Sequence, residues 1–395
     1  MSSDPQPEDP VLRKLEQIKE RYAVLTEDPK ARAWFDDRYK GKRKANYRAV
    51  DFLMEEIVDT GICSGCTACV VICPWDVFDY QGNHPEDTRT DRCTDCGLCV
   101  QVCPEMPMVA NLRQEVFGEA RGRVDDFGFY QEIFLSRTKI PKIRARAQDG
   151  GTATTLLYYA LEKGLIKGAV VGDVSKETPG MPTHKLATSK EELLSSSGSR
   201  YVYSPNMLAI EEAFSKNISP IAVVGVPCQV DALRYIQHGD VYGAISKWYR
   251  DNVALSIGLF CSEAFIYEGI IELANRLDIG VEDIKYFNIK GKVMIKTKED
   301  KEFEFSLKEF RKYARPACEY CKDYSAELAD IGLGGIGLSG WTMTVTRTEE
   351  GQRMVDNAVR DGYLETRSIG DAPDALELLK KLCNKKKMRP FTMLR

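Results

Sequence analysis

The sequence predicts a multidomain chain of the α+β and α/β classes, with a helical N-terminal leader, a small cysteine-rich domain and a larger α/β domain. Apolar residues of segment 10–59 recur at spacings of three and four, which indicates amphipathic helices. Two identical cysteine runs follow, and from residue 145 through 261 helical segments alternate with β-branched strands, a pattern typical of an α/β layer. The predicted domains are 1–56, 57–115 and 116–395, which a chain of 395 residues is long enough to form.

The composition narrows the class of function. A net charge of −4 gives no reason to expect a nucleic-acid partner. The longest apolar runs, IAVVGV (221–226) and VALSIGLFC (253–261), are too short to cross a bilayer, so no membrane span is predicted. The first ten residues are acidic and proline-rich, unlike a secretory signal, so we expect a cytoplasmic protein that could still dock on a membrane complex. Thirteen cysteines favour metal or redox chemistry over a disulfide framework.

Eight of these cysteines form the strongest signal. Residues 63–74 read CSGCTACVVICP and residues 93–104 read CTDCGLCVQVCP, so the pattern C-x2-C-x2-C-x3-C-P occurs twice. This is the bacterial [4Fe–4S] run, in which the fourth cysteine of each run binds the other cluster. Zinc knuckles are the alternative, but two identical runs closed by Pro74 and Pro104 favour paired cubanes that conduct electrons. The predicted ligand sets are Cys63, Cys66, Cys69 and Cys103 for one cluster, and Cys93, Cys96, Cys99 and Cys73 for the other.

The other five cysteines leave alternatives open. Cys228 and Cys261 each follow an apolar, β-branched run, so both are predicted at buried strand ends, where sites assemble in an α/β sheet. With the CxxC pair of Cys318 and Cys321 they would supply four thiolates for a third [4Fe–4S] cluster. Inert buried cysteines and a structural zinc site explain the same residues. Cys383 extends the leucine stripe of a C-terminal helix, where a packing role is expected.

Two glycine turns are candidates for phosphate contacts, one at Gly150 and Gly151 and one in GSRYVYSP (198–205), where Arg200 and two tyrosines follow but such turns are commonplace. Residues 148–174 predict a glycine turn, a helix over 154–163 and a buried strand. Gly150 and Gly151 would let the backbone approach a phosphate, although a plain helix-entry turn explains them equally well. GLGGIG (332–337) matches the dinucleotide pattern, but strand-like sequence follows it instead of a helix, so a nicotinamide site is rejected.

Charged and histidine residues add one weaker signal. The basic stretch KIPKIRARAQDG (139–150) leads into the glycine turn and would favour an anionic ligand, with ordinary surface charge as the alternative. The runs KGKRK (40–44) and NKKK (384–387) are predicted to be solvated. His84 is predicted to be an exposed loop residue because both cubanes are already supplied, and no role is assigned to the other histidines.

Seven segments together resemble the family of coenzyme F420 hydrogenase and dehydrogenase beta subunits. The resemblance covers residues 140–365, and the segments keep the family's order. A paired ferredoxin run ahead of this domain is similar to the electron-input subunit of F420H2 dehydrogenases, to F420-dependent sulfite reductases and to the 7-hydroxymethyl chlorophyll reductase branch. The long leader and Arg200, where the family often has lysine, depart from the pattern. The segments are QDGG (148–151), GLIKGAVV (164–171), GSRYVYSP (198–205), VGVPCQVDALR (224–234), IGLFCSEAF (257–265), CEYCKDYSAELADIGLGGIG (318–337) and GWTMTVTRTEEG (340–351).

The resemblance implies that the α/β domain binds FAD. It also implies that Cys228, Cys261, Cys318 and Cys321 hold the third [4Fe–4S] cluster near that flavin. The basic residues of 139–146 would attract the anionic tail of coenzyme F420, and no catalytic side chain is identified. The implied FAD contacts are Gln148, Asp149, Gly150, Gly151, Thr152, Gly198, Ser199, Arg200 and Tyr201.

The expected activity follows from these cofactors. A flavin converts a two-electron hydride into single electrons, so reduced F420 would reduce FAD, and three clusters would pass electrons to a redox partner protein or a larger complex. Reversed flow is the first alternative, in which ferredoxin drives reduction of an organic substrate such as 7-hydroxymethyl chlorophyll. A cluster-bearing scaffold subunit without flavin chemistry is the second.

Overall fold

The structure is a computed structural model that describes residues 48–106, 112–118, 120, 122–238 and 244–389. Most of the predicted helical leader lies outside the described residues. Its described end is helical, because α1 covers Ala49–Leu53 and continues into a π-helical turn over Met54–Val58. Leu53 and Ile57 are buried in the same hydrophobic cluster as Cys69, so this end of the leader packs into the cysteine-rich domain.

The two cysteine runs adopt the same local structure. Helix α2 (Ala68–Ile72) and helix α3 (Leu98–Gln101) each place the third cysteine of their run in the first turn. The residue before each helix has a left-handed backbone, with φ of 68° at Thr67 and 75° at Gly97. A tight reversal of the chain between the second and third cysteines therefore occurs at the same position in both runs.

An antiparallel hairpin separates the two runs. It consists of β1 (Asp79–Gln81) and β2 (His84–Glu86), joined by Gly82 and Asn83 in the left-handed region. His84 is therefore half-buried on a strand, and the prediction of an exposed loop histidine is wrong. The turn residues glycine and asparagine, which tolerate positive φ, explain why a hairpin forms here.

The rest of the described chain contains one large sheet, two smaller sheets and the helices that cover them. The strands are β3 (Arg123–Asp125), β4 (Gly128–Tyr130), β5 (Glu132–Thr138), β6 (Gly168–Val174), β7 (Pro182–Ala187), β8 (Ile221–Gly225), β9 (Val253–Leu259), β10 (Ile284–Ile289), β11 (Lys292–Thr297), β12 (Glu302–Ser306), β13 (Ile331–Gly334), β14 (Thr342–Thr346) and β15 (Leu364–Ser368). The helices are α4 (Leu112–Phe117), α5 (Pro141–Arg144), α6 (Thr152–Glu162), α7 (Lys190–Ser195), α8 (Ala209–Ser215), α9 (Pro227–His238), α10 (Ala244–Asn252), α11 (Glu268–Leu277), α12 (Leu307–Phe310), α13 (Glu349–Arg360) and α14 (Pro373–Lys387).

The large sheet has eight strands in the order β15-β5-β14-β13-β9-β8-β6-β7. Its four central strands, β6, β8, β9 and β13, are parallel, while the strands at both sides pair antiparallel. The prediction of a mixed α/β domain after the cysteine runs is confirmed. Because the carboxyl ends of parallel strands share one edge, the segments that follow β8, β9 and β13 meet there.

The two faces of the sheet are covered differently. One face packs on α6 and α13, through buried residues such as Leu156 and Val355. The other face packs on α8, α9 and α10, and the same hydrophobic cluster includes Val71 and Leu98 from the helices of the cysteine-rich domain. The cysteine-rich domain therefore packs onto the helical layer of this second face.

The remaining elements test the predictions made for the GLGGIG segment and for Cys383. Residues 332–334 of GLGGIG lie in β13, which leads into the antiparallel strand β14, so the prediction of strand instead of helix after this segment is confirmed. Cys383 on α14 is buried with Leu379 and Phe127, which confirms its predicted packing role.

Strands β10, β11 and β12 form a separate antiparallel sheet that packs on α11 and α12. Within the described ranges, none of the helices combines the length and apolarity that crossing a bilayer requires.

Candidate electron-transfer centre

The first four predicted ligands, Cys63, Cys66, Cys69 and Cys103, lie together in the cysteine-rich domain. Burial raises the pKa of the Cys66 thiol to about 12, and the nearby Cys63 adds to this shift. Burial also raises the pKa of Cys69 well above its usual value, and Cys66, Cys63 and Cys103 reinforce the effect. Cys103 belongs to the second run, so the fold places it beside the first three cysteines of the other run.

The second four show the reciprocal arrangement. Burial raises the pKa of Cys99 well above its usual value, with further contributions from Cys96, Cys73 and Cys93. Burial likewise raises the pKa of Cys96 to about 12, and Cys73 contributes although it belongs to the first run. Cys69 also interacts with Cys99, so the two sets are neighbours.

The third set is assembled from distant parts of the sequence. Strands β8 and β9 are adjacent and parallel, and Gly225 lies opposite Gly258 at their carboxyl ends. Cys261 follows β9 by two residues. Cys228, however, lies in the first turn of α9 and not at the end of a strand, so that part of the prediction is wrong. Pro227 begins the helix two residues after β8 ends, because its fixed φ suits the first helical position.

The CEYC segment completes this set. Cys318 lies in the 3₁₀ turn Pro316–Glu319, and Cys321 follows it. Burial raises the pKa of Cys228 well above its usual value, with contributions from Cys321, Cys66, Cys261 and Cys318. All four cysteines of the third set therefore lie within electrostatic range of one another, and Cys228 also faces Cys66 of the first ferredoxin set.

The thiols of the third set are largely shielded by surrounding protein, but their residues keep some solvent-accessible surface. Burial dominates the pKa of Cys228 and of Cys261, raising the latter to about 12, yet both side chains keep intermediate exposure. Both observations fit thiols that line an enclosed space. In the described part of the chain, no three Cys, His, Asp or Glu side chains converge closely enough to hold one metal ion.

One hydrogen-bond pattern is shared by all three sets. The backbone N–H groups of Gly65, Asp95 and Ala264 each donate to a cysteine sulfur, at N–S distances of 3.4 Å. Their acceptors are the sulfurs of Cys63, Cys93 and Cys318. Hydrogen bonds to sulfur stabilise negative charge on thiolates and are among the features that tune an iron–sulfur centre.

Two cations from the C-terminal segment surround the third set, and the sequence did not indicate them. Lys386 is only 3% exposed, and its Nζ donates to the carbonyl of Cys261 at 2.7 Å. Burial opposes its charge, but Cys321 and Cys261 outweigh that effect, so the pKa of Lys386 is raised. Arg389 donates to the carbonyl oxygens of Ser262 and Cys318.

The prediction that NKKK is a solvated run is therefore wrong for Lys386. Its neighbours Lys385 and Lys387 are exposed, as expected for a helix face directed to water. Lys386 instead continues the buried stripe of Leu379 and Cys383, at spacings of four and three. Helical periodicity was the signal that could have found it.

Another buried cation reaches across the two domains. Arg315, three residues before Cys318, is 5% exposed. Its Nη1 donates to the carbonyl of Ser64 at 2.7 Å, and its Nη2 donates to that of Asn83 at 2.7 Å. Its guanidinium lies 4.2 Å from the ring centroid of Tyr203. Only its position near CEYC could have marked this arginine in the sequence.

A buried polar network holds the elements of the third set in place. Arg234 on α9 donates to Asp330, which directly precedes β13, at 2.9 Å, and to the Ser256 hydroxyl on β9 at 3.0 Å. Asp330 in turn accepts from the backbone N–H of Ser256 at 2.7 Å. Burial opposes ionisation of Asp330, but Arg234 and Ser256 hold its pKa below the usual value. The helix of Cys228 and the strand before Cys261 are thus joined.

The predicted flavin contacts QDGG and GSRY meet at one strand of the small sheet. Gln148 donates through Nε2 to the Tyr286 hydroxyl at 2.8 Å, and Tyr201 donates to Asn288 Oδ1 at 2.6 Å. Asn288 Nδ2 closes the network by donating to the Tyr286 hydroxyl at 2.9 Å. Residues separated by more than fifty positions in the sequence are therefore linked through β10.

The glycine turn itself is closely packed. A Cβ on Gly150 would lie 2.5 Å from the Ser136 carbonyl, and Gly151 begins α6 with a left-handed φ of 73°. The Thr152 hydroxyl is buried against that of Ser136 at 2.7 Å. Asp149 forms an ion pair with Lys290, although burial raises its pKa overall.

The second predicted segment keeps a free donor. Arg200 donates to the carbonyls of Gly198 at 3.0 Å and Ser196 at 3.4 Å, while its Nε is buried with no partner among the described residues. Burial lowers the pKa of Arg200. Gly198 and Ser199 are exposed beside it. An unpaired guanidinium N–H next to open backbone fits an anionic group such as a phosphate.

The basic stretch before the turn is partly engaged by the protein. Residues 141–144 form α5, and Arg144 pairs with Glu365 at 3.3 Å. Arg146 donates to the Leu194 carbonyl at 2.9 Å, and Lys142 lies 4.7 Å from the Tyr158 ring centroid. Lys142 and Arg146 remain exposed, so positive charge stays available at this edge.

Known proteins resemble this chain over most of its length. The N-terminal and C-terminal domains of the coenzyme F420 hydrogenase/dehydrogenase beta subunit match residues 133–211 and 218–372, and a 4Fe-4S dicluster domain matches residues 55–104. The chain is 36% identical over 264 residues to the coenzyme F420 hydrogenase subunit beta of Methanothermobacter thermautotrophicus, which covers 66% of this chain and 92% of that protein.

Two further relatives extend the likeness. An F(420)H(2) dehydrogenase subunit of Methanosarcina mazei is 30% identical over 340 residues, covering 84% of this chain and 91% of that protein. A chain in the structure of the F420-reducing [NiFe] hydrogenase complex from Methanosarcina barkeri is 33% identical, with a TM-score of 0.63, and covers 67% of this chain and 91% of its own.

Proposed function

Because the chain belongs to the family of coenzyme F420 hydrogenase/dehydrogenase beta subunits and carries a 4Fe-4S dicluster domain, we propose that it is an iron–sulfur flavoprotein oxidoreductase. In this proposal reduced coenzyme F420 gives hydride to FAD, and single electrons leave through [4Fe–4S] clusters to a partner protein. The observation that carries it is the contact between the two cysteine-bearing regions. Arg315 donates to Ser64 of the first ferredoxin run and lies over Tyr203, whose hydroxyl is 3.9 Å from the Cys228 sulfur.

The bound groups would supply the redox chemistry, with a flavin exchanging a hydride and iron–sulfur clusters exchanging one electron at a time. The role of this chain is to hold them. Enclosed thiols, N–H donors to sulfur and buried cations nearby support cluster binding by three sets. The proposed sets are Cys63, Cys66, Cys69 and Cys103; Cys93, Cys96, Cys99 and Cys73; and Cys228, Cys261, Cys318 and Cys321.

The QDGG and GSRY segments are the proposed FAD contacts. Their connection through Tyr286 and Asn288 supports one shared site, and the unpaired Nε of Arg200 supports a phosphate nearby. Gly151 directly precedes α6, where backbone N–H groups and the helix dipole favour an anion, whereas the N–H of Gly150 donates to the Thr342 hydroxyl at 3.1 Å. The hydroxyl of Thr152 bonds to Ser136, so only the backbone of this residue is proposed to take part.

The proposed substrate site lies at the same edge of the sheet. Coenzyme F420 is anionic, and the exposed Lys142 and Arg146 next to the QDGG turn would attract it. The relatives named above are subunits of enzymes, and one comes from a hydrogenase complex. We therefore extend the proposal to a redox partner subunit or protein that accepts the electrons.

The test is an anaerobic absorbance assay. Purified protein is first heated to release and identify its flavin, and intact protein is then mixed with oxidised F420 and a reduced viologen dye. Bleaching of the F420 absorbance, with FAD in the heated supernatant, is expected. Released FAD without bleaching in either direction would favour a reductase of another organic substrate. Cluster-bearing protein without flavin would favour an electron-transfer scaffold, and either result contradicts the proposal.

A further inference from the structure

Arg315 occupies the boundary between the third cysteine set and the first ferredoxin set. It belongs to the α/β domain, three residues before Cys318, but its guanidinium donates to Ser64 and Asn83 of the cysteine-rich domain. Nη2 also approaches the Cys63 carbonyl at 3.4 Å. One side chain therefore joins the loop of the first ferredoxin set to the CEYC segment.

The charge of Arg315 lacks an acidic partner in the described ranges. Its hydrogen bonds go to carbonyl oxygens, and no carboxylate forms an ion pair with it there. A buried cation without a counter-charge is costly, because water no longer solvates it. Burial opposes this charge, but Tyr203 and Tyr80, followed by Cys63 and Cys228, together raise the pKa of Arg315.

The surroundings of Arg315 form a continuous path between these sets. Its guanidinium stacks over Tyr203, and the Tyr203 hydroxyl lies 3.9 Å from the sulfur of Cys228. Tyr203 is 4% exposed, so this contact is shielded from water and from salt. A cation in such surroundings acts on nearby charges more strongly than a surface cation does.

The ferredoxin loop leaves room for this guanidinium. A Cβ on Gly65, whose φ is +66°, would lie 2.5 Å from Nη2 and 2.6 Å from Nη1 of Arg315. It would also lie 2.3 Å from the Asn83 carbonyl that accepts from Nη2. The bare backbone at Gly65 thus permits the guanidinium to approach the first ferredoxin set.

We propose that Arg315 is a positioning residue for two of the proposed clusters. Its charge raises the reduction potentials of the clusters held by the third set and by the Cys63 set, but not that of the cluster held by the Cys93 set. This inference rests on the proposed function, in which both sets hold clusters. Reduction of either cluster adds one electron and one negative charge, with no bond made or broken and no proton required. A fixed positive charge between the two sets stabilises that added charge in both.

The test is an anaerobic redox titration of the holoprotein followed by EPR, with R315Q compared with the wild type. The C318A/C321A variant identifies the third-set signal by its loss. In R315Q the potentials of the clusters held by the third set and by the Cys63 set are expected to become more negative by at least about 59 mV. This change corresponds to a tenfold shift of each one-electron equilibrium towards the oxidised form. The Cys93 set should keep its wild-type potential.

Two further variants separate charge from structure. R315K keeps the charge and loses the two-pronged hydrogen bonding, so it is expected to retain wild-type potentials while the domains unfold at a lower temperature. R92Q removes an exposed arginine that pairs with Asp76 near the Cys93 set, and no potential should change. Should R315Q lose its clusters, R315K decides: clusters retained at wild-type potentials support the charge role, and cluster loss in R315K overturns it.

Unchanged potentials in cluster-replete R315Q would also overturn the role of Arg315, while leaving the proposed function standing. A wild-type protein with only the two ferredoxin signals would instead contradict the proposed function itself. Equal shifts of all three potentials would contradict the local action of Arg315. The two hypotheses thus fail through different measurements.

Discussion

The two cysteine-bearing regions of this chain reach similar local chemistry by different routes. In the cysteine-rich domain, eight cysteines lie in two runs of twelve residues, and each short helix presents its third cysteine in the same turn. In the α/β domain, Cys228, Cys261 and the CEYC pair come together because β8 and β9 are adjacent and end at the same edge. Backbone N–H donors to sulfur occur in both regions.

The comparison shows that the whole sheet is needed to bring the four cysteines of the third set together. The paired runs are instead shaped by the local spacing of their own residues. It also reveals a difference in charge. Lys386, Arg389 and Arg315 lie around the third set, and two of them are almost fully buried. Among the described residues, the cation that interacts with Cys93 is Arg48, which is half-exposed. The third set therefore has buried cations close by, whereas the cation near Cys93 is half-exposed.

The largest expected effect is the loss of the cluster that the third set is proposed to hold. The C318A/C321A variant removes two ligands of one proposed cluster, so iron should fall by about four per chain while both ferredoxin signals remain. Iron analysis and EPR of the reduced protein check this result. The matched control, Cys383→Ala, changes a buried cysteine that packs with Leu379 and should lose no iron. Equal iron in the double variant and the wild type would contradict a third cluster.

The next effect tests the dependence on the sheet. Arg234→Met leaves Asp330 buried without its partner, which is expected to destabilise the α/β domain by about 3–5 kcal/mol. Because this network joins α9 to β9, the third cluster should be lost before the ferredoxin pair. Urea unfolding followed by tryptophan fluorescence and by EPR checks both points. Loss of all clusters in a single step would show that the two regions are not independent.

Much of this arrangement could be predicted from the sequence where the determinants are local. The spacing of the two runs identifies a dicluster domain, because neighbouring residues alone shape each loop. The strand predicted after GLGGIG is present as β14. The alternation of helices and β-branched strands correctly predicts the α/β layer.

The errors and omissions have both local and distant causes. Cys228 was expected on a strand end, but Pro227 starts a helix one residue earlier than the cysteine. Lys386 was expected in water, but packing of α14 buries it beside Cys261. The role of Tyr286 was not foreseen, because its contact with Gln148 joins residues 138 positions apart. The Tyr286 contact depends on tertiary packing, which composition and spacing do not encode, whereas Pro227 and the helical stripe through Cys383 are signals within the sequence.

A smaller effect is expected at the proposed flavin edge, which lies in the α/β region but outside its cysteine set. In Gly150→Ala the added methyl group would press on the Ser136 carbonyl at 2.5 Å, and strain of about 1–3 kcal/mol is expected. FAD content after gel filtration should fall while iron stays constant. Gly370→Ala, whose methyl group would meet only the Ser368 hydroxyl at 3.2 Å, is the control. Full FAD retention in Gly150→Ala would argue against this edge.

The smallest effect sharpens the difference in charge between the two regions. Lys386→Met removes a buried cation that lies beside the third set. The potential of the cluster held by this set should become more negative by about 59 mV, which is a tenfold change in a one-electron equilibrium. Lys385→Met removes an exposed lysine from the adjacent position of α14 and should change no potential. Redox titration followed by EPR measures both variants. Equal responses in the two would show that burial of Lys386 has no electrostatic consequence.

The most direct test of the central claim is the iron, acid-labile sulfide and flavin content of intact protein purified without oxygen. The account predicts about twelve irons, about twelve sulfides and one FAD per chain, as three cubanes and a flavin require. About eight irons and no flavin would contradict it, because the thiols of the α/β domain would then hold no cluster.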